Sequence, residues 1–202
     1  AGMQAAQTAL RDATAAQAAF ESARDVGLAQ LSRGILGRLR ARLDAFGAAS
    51  YVLETDASFA AAERDSFVSG LLLELEALTK PLAPVLVEDA RDALLLMLVG
   101  SLADRLEALV LAKTFDQLGA LQLDRELRAI GKRLGELTSR SVREKLARLA
   151  QTATLLNLEA EVEAVDLWAD GAGWRLSATE AKRVLALRCD FRPELIEGLA
   201  LH

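Results

Sequence analysis

Reactive side chains are nearly missing from this chain, which has one cysteine, Cys189, and one histidine, His202, its last residue. A disulfide framework is thereby excluded, and so is a zinc site built from Cys and His ligands. A Ser-His-Asp or Cys-His mechanism would have to recruit a chain end, where order is poorest. Aromatics make up 4% of the sequence, too few for the stacking platforms that read bases or sugars. β-Branched residues are scarce too, with 11 Val and 3 Ile against 39 Ala and 40 Leu. That balance predicts an all-α protein with no β-sheet. Positive charge is not in excess: the net charge is −5, so no nucleic-acid partner is expected.

Long hydrophobic runs are also lacking. The longest uncharged one, Ala93 to Ala103, has 11 residues between Asp92 and Asp104, whereas a bilayer needs about 20. It reads as a buried core helix, and no transmembrane segment is expected. The opening AGMQAAQTALRDATAAQ has neither a positive n-region nor an apolar h-region, so it is not a signal peptide. Beginning at Ala1 rather than Met, the chain is expected to be a piece of something larger. Its single unpaired cysteine fits a reducing, cytosolic compartment.

Helical periodicity is what the sequence does contain. Residues 1–24 form an Ala/Gln-rich helix with a weak apolar stripe. Over Val26 to Phe46 the stripe sharpens into Leu28, Leu31, Ile35, Leu39, Leu43 and Phe46, with room for a bend at Gly34 and Gly37. Residues 47–64 read as loop, and Phe67 to Lys80 as helix. Pro81 and Pro84 disfavour helix on their N-terminal sides and set a boundary, dividing the chain into two helical-bundle parts, 1–82 and 83–202. A long helix over Val85 to Lys113, apolar nearly all round through Leu86, Leu94, Leu98, Leu102, Leu106 and Leu109, should be central to the second part. Further helices are expected over 123–138, 140–156, 158–169 and 178–188, with a short one after Pro193. Asn157 is placed as the cap of the 158–169 helix and Gly171 as its stop; Ser177-Ala-Thr-Glu180 reads as a capping box.

Few residues suggest chemistry. Glu88, Asp89 and Asp92 share a helix face and would suit Mg²⁺, but acidic residues beside the positive end of a helix dipole are the plainer account. Gly171-Ala-Gly173 follows no strand and reads as a turn rather than a phosphate cradle. Cys189, among Leu185, Leu187 and Phe191, is expected to be buried. Residues 124–148 hold eight Arg and Lys against four acids, best read as a solvated helix face, with an acidic partner or an anionic membrane as the other reading. Trp168 and Trp174 bracket the 170–173 turn and should pack on each other or on the core. Arg148 sits beside the apolar line Val142, Leu146, Leu149, Ala153 and Leu156, while Glu180 shares a line with Val184 and Leu187. A charge on an apolar face needs a partner, and a guanidinium fits a carboxylate, so the two are expected to pair across helices. The plainer accounts are a capping box for Glu180 and a snorkelling side chain for Arg148. No residue is assigned a catalytic, cofactor-binding or metal role.

Three runs carry a family resemblance. Leu121-Gln-Leu-Asp124-Arg-Glu126-Leu127-Arg128, Val142-Arg143-Glu-Lys145-Leu-Ala-Arg148-Leu149-Ala-Gln151 and Ala153-Thr154-Leu-Leu-Asn157-Leu158-Glu159 resemble subunit four of the conserved oligomeric Golgi complex. So does the tail Trp174-Arg175-Leu176, Val184-Leu185-Ala186-Leu187-Arg188 and Asp190-Phe191-Arg192. The likeness is dense over 114–192 and patchy over 65–113. It implies a helical-rod, non-enzymatic subunit of a vesicle-tethering complex, peripheral on the cytosolic face of the Golgi membrane and acting in retrograde intra-Golgi transport. The implied partners are other subunits of that complex and SNARE machinery, with no cofactor and no small-molecule substrate. The alternative is an amphipathic helical protein that binds lipid surfaces.

Overall fold

The first helix, α1 (Gly2–Ala48), is unbroken for 47 residues and continues through Gly34 and Gly37. It belongs to a computed structural model that describes residues 2–171 and 173–201 and, within 2–9, only the side chains of Gln4 and Gln7. Ala1, Ala172 of the Gly171–Gly173 turn and His202 lie outside the described residues. The α1 seam is Leu28, Ser32, Ile35, Leu39, Leu43 and Phe46, all buried. Leu31, expected in that line, is 41% exposed, because the helical phase brings Ser32 inward instead. Residues 10–26 of the helix are exposed throughout.

A helix, α2 (Asp56–Arg64), stands where the sequence suggested loop. Its signal is local: Thr55 and Ser58 form a capping box, and an Ala-rich stretch follows. Hydrophobic periodicity missed it because none of its residues is buried. After Ser66 caps it, α3 (Phe67–Thr79) buries Val68, Leu71 and Leu75. The chain then tightens into a 3₁₀ turn over Lys80–Leu82.

The central helix, α4 (Glu88–Val110), is shorter at both ends than its apolar run suggested. Hydrogen bonds from Val85 N and Leu86 N to Leu82 O fold the post-proline residues into turns, and Val87 is extended. Leu94, Leu98, Leu102 and Leu106 of α4 are all buried. One face of α4 packs on α1 and another on α6 (Arg143–Leu156). The buried cluster runs from Leu28 to Leu201 without a gap at the prolines.

Between them, α5 (Gln117–Leu137) starts at an Asp116 cap and packs on α6, α3 and α2. Asn157 does not begin the next helix; it closes α6, its Nδ2 donating to Ala153 O at 2.8 Å and Ala120 O at 3.2 Å. Turns fill the next residues, so α7 (Glu163–Asp170) starts later than expected and stops at Gly171. α8 (Ala178–Leu185) ends before residue 188 because its continuation is used elsewhere: Phe115 N donates to Leu187 O at 2.8 Å and Cys189 N to Phe115 O at 2.9 Å. α9 (Pro193–Gly198) opens on Pro193. The described residues contain helices and isolated bridges but no strand or sheet. None of their helices is long and apolar enough to cross a membrane.

Cys189 corrects an expectation, since its side chain is exposed. What the fold uses of this residue is its backbone N–H, which donates to Phe115 O at 2.9 Å.

Candidate interaction site

Arg148, near the middle of α6, reaches two helices at once. Its Nη2 donates to Glu107 Oε1 of α4 at 2.7 Å and to Glu180 Oε1 of α8 at 2.6 Å. Nε donates to the same Glu107 carboxylate at 3.0 and 3.1 Å, and Nη1 to the Arg175 carbonyl at 2.8 Å. The structure thus brings Arg148 and Glu180 together and adds a third member, Glu107. Glu107 is 16% exposed, against 37% for Arg148 and 44% for Glu180.

Glu180 also serves the other role suggested for it. Its Oε2 accepts from Ser177 N at 2.8 Å and Ser177 Oγ at 2.9 Å, closing the capping box of α8, while Oε1 takes the guanidinium. One carboxylate therefore holds both the start of α8 and the link to α6. The Arg148 hydrogen bond, followed by those from Ser177, holds the Glu180 carboxyl down to about 2. Arg148 is held firmly protonated, by Glu107 first and Glu180 second.

Around this triad the 173–176 loop is tied to α6. Gln151 Nε2 donates to Gly173 O at 3.2 Å, its Oε1 accepts from Arg175 N at 2.8 Å, and Arg175 pairs with Glu144. Trp168 and Trp174 stack on each other at 4.7 Å. Gly171 permits that stack, because a Cβ there would lie 2.3 Å from Trp174 Nε1.

A second polar assembly escaped the sequence reading. Arg188, 3% exposed, donates to the carbonyls of Leu156 and Leu158 and to both oxygens of Asp190 at 2.7 and 2.6 Å, and lies over the Phe191 ring. It ties α6 to the α8–α9 connection beside the Phe115 bridges. Its sequence signal was the spacing Arg188-x-Asp190, hidden because one arginine among many counts as surface. Across the same bridges, Tyr51 donates to Glu126, which also accepts from Ser66 Oγ at 2.8 Å and Gln122 Nε2 at 2.9 Å. Burial first, then the Glu126 charge, pushes the Tyr51 hydroxyl pKa up. Asp116 accepts from Leu53 N, Glu54 N and Gly119 N at 2.6–2.7 Å.

The acidic trio of α4 separates. Asp92 turns inward and accepts from Thr138 Oγ1 at 2.9 Å and from Ser139, whose hydrogen bond leads in holding its carboxyl below the usual range. Asp89 is 90% exposed beside Arg140. The described residues offer no group of three or more His, Cys, Asp or Glu that would hold a metal ion. Of the basic 124–148 segment, Arg125, Arg128, Arg133, Arg140 and Arg148 are each taken by carboxylates of the chain itself.

Comparison with known proteins adds to this geometry. A family profile described as "Conserved oligomeric Golgi complex subunit 4, C-terminal" matches residues 2–183. A subunit 4 of that complex from Arabidopsis thaliana is 36% identical over 186 residues, covering 90% of this chain and 25% of its own length. The Drosophila melanogaster subunit 4 is 32% identical over 198 residues, covering 95% of this chain and 26% of its own length. The human one is 46% identical over 78 residues, which cover 37% of this chain and 10% of its own. The chain thus spans about a quarter of the length of the plant and fly relatives.

Proposed function

Because the chain belongs to the conserved oligomeric Golgi complex subunit 4 family, we propose that it is part of a non-enzymatic tethering subunit in retrograde intra-Golgi vesicle transport. The carrying observation is the family match across residues 2–183 of an all-helical chain. Its partners are other subunits of the tethering complex and SNARE machinery, met on the cytosolic face of the Golgi as a peripheral membrane protein without cofactor. Arg148 and Glu180 act there as positioning residues: by fixing α8 and the 173–176 loop on α6, they shape the C-terminal surface offered to partners. The chain is organised in two parts, 1–82 and 83–202, which share the α1–α4 seam. The absence of α-helix over Lys80–Val87 supports a joint there. Limited proteolysis is expected to cut first within 79–87; first cuts inside 94–110 would overturn that organisation.

The lipid-surface alternative gains nothing from α1. Leu10, Phe20 and Val26 are exposed, yet at about 100° per residue they point to three different sides and form no stripe. Affinity purification of the tagged chain from cells, read by mass spectrometry, tests the main reading. Subunits of the tethering complex or SNARE components are the expected co-purifying proteins. Their absence, together with failure of the chain to replace the corresponding quarter of the plant subunit in restoring Golgi recycling, would overturn it.

A further inference from the structure

At the joint between the two parts lies an open recess of about 500 Å³, walled by the end of α3, the 3₁₀ turn, the first turns of α4 and the end of α5. Three cations line it, Lys80, Arg91 and Arg133, against two acids, Glu76 and Glu136. Arg133 is pinned at two of its nitrogens: Nε donates to Glu76 at 2.5 Å and Nη1 to Glu136 at 2.6 Å. Both acids are thereby engaged by a single arginine. Lys80 and Arg91 have no hydrogen bond or ion pair through their side chains among the described residues; each lies only in the field of a carboxylate, Glu76 for Lys80 and Asp92 for Arg91. Arg91 Nε is moreover buried without any acceptor. A buried N–H of a charged group is costly to leave unpaired.

Beside the cavity, Val85 and Val87 are 76% and 74% exposed on the turns that link its Leu82–Ala83 wall to Arg91. Val87 O accepts from Arg91 N, so this apolar pair and the unpaired guanidinium share one turn of backbone. Unpaired cations in a recess suit a phosphate group, whose oxygens accept from a guanidinium fork and a lysine together. Two exposed valines in the segment between the lining residues Ala83 and Arg91 suit a phosphate carried at a membrane surface.

We propose that the Lys80–Arg91–Arg133 cavity binds the phosphorylated inositol headgroup of a membrane lipid, with Val85 and Val87 entering the acyl boundary beside it. This reading is independent of the tethering assignment, since it rests only on the cavity and its rim. The headgroup phosphates bridge Arg91 and Lys80, and the bound ring occupies the recess that α4 and α5 leave open.

Two measurements on the 202-residue chain test it. Calorimetric titration with a soluble inositol polyphosphate should give saturable binding, weakened at least about tenfold by the double variant Lys80→Gln/Arg91→Gln, with circular dichroism checking that its fold is retained. Co-sedimentation should capture the chain on phosphatidylcholine vesicles carrying phosphatidylinositol bisphosphate, and less well on phosphatidylserine vesicles of matched charge. Val85→Ser/Val87→Ser should reduce vesicle capture severalfold and leave soluble binding unchanged. Equal binding by wild type and the Lys80/Arg91 variant, or equal capture on phosphatidylserine, would overturn the site. Soluble binding without vesicle capture would overturn the membrane source and hand the cavity to a phosphate borne by a protein.

Discussion

The two ends of α4 are finished in opposite ways. Past its C-terminal end, three connections cross and bond one another: Asp116 N to Tyr51 O at 3.1 Å, Phe115 N to Leu187 O, and Cys189 N to Phe115 O. Tyr51 and Phe115 are buried there beside Arg188, whose bonds are all made within the chain. At its N-terminal end the turns after the prolines leave Val85 and Val87 exposed and Lys80 and Arg91 unpaired. Backbone pairing concentrates stability at the crossing, and the joint is where we place recognition. A crossing of three backbones bonds its own N–H and C=O groups, whereas an end closed only by turns leaves two cations without a partner among the described residues.

The largest expected effect breaks the closed end. A Cβ on Gly119 would lie 1.7 Å from the Tyr51 carbonyl oxygen, which no side-chain movement relieves. Gly119→Ala should therefore cost about 4 kcal/mol or more, by denaturant unfolding, well beyond ordinary overpacking. Arg188→Met follows: it leaves the Leu156 and Leu158 carbonyls and Asp190 without their donor, at about 3 kcal/mol, because Asp190 is half exposed and rehydrates.

The Arg148 triad lies between the extremes in burial, and so in expected size. A double-mutant cycle with Arg148→Ala and Glu180→Ala should give a coupling of about 1 kcal/mol, as for pairs more than a third exposed. Because the Glu180 carboxyl is held at about 2 rather than its ordinary 4.5, that coupling is fully present above pH 4.5 and is lost as pH falls toward 2. A coupling indistinguishable from zero at pH 7 would remove the pair from any positioning role. Glu54→Gly, at the same closed end, is expected to act in the opposite direction. Glu54 has φ 45°, the left-handed region, next to the Asp116 cap, and glycine there should raise stability by up to about 1 kcal/mol.

What could be read from the sequence follows the same contrast. The seams of α1 and α4 and the capping box of α8 were legible because period and cap chemistry are local. The family, too, was legible in the runs around Arg148. α2 was not, since a helix that buries nothing leaves no apolar period. Nor was Glu107, which meets Arg148 only after α4 and α6 have packed. Asn157 was assigned to the wrong helix because a side-chain amide caps either end. Cys189, expected inside, is outside, and its neighbour Arg188 is buried. Their places are set by the Phe115 crossing, a pairing between segments more than 70 residues apart in the chain.

The exposed 10–26 stretch of α1 has a mechanical consequence. Residues 10–26 extend the helix roughly 25 Å past its first seam contact at Leu28, at about 1.5 Å per residue. A stiff rod anchored along only one part of its length is a lever with its fulcrum at the anchor. A tilt of about 10° at Leu28 swings the far end by roughly 4 Å, and a pull on that end reaches the α1–α4 seam as torque.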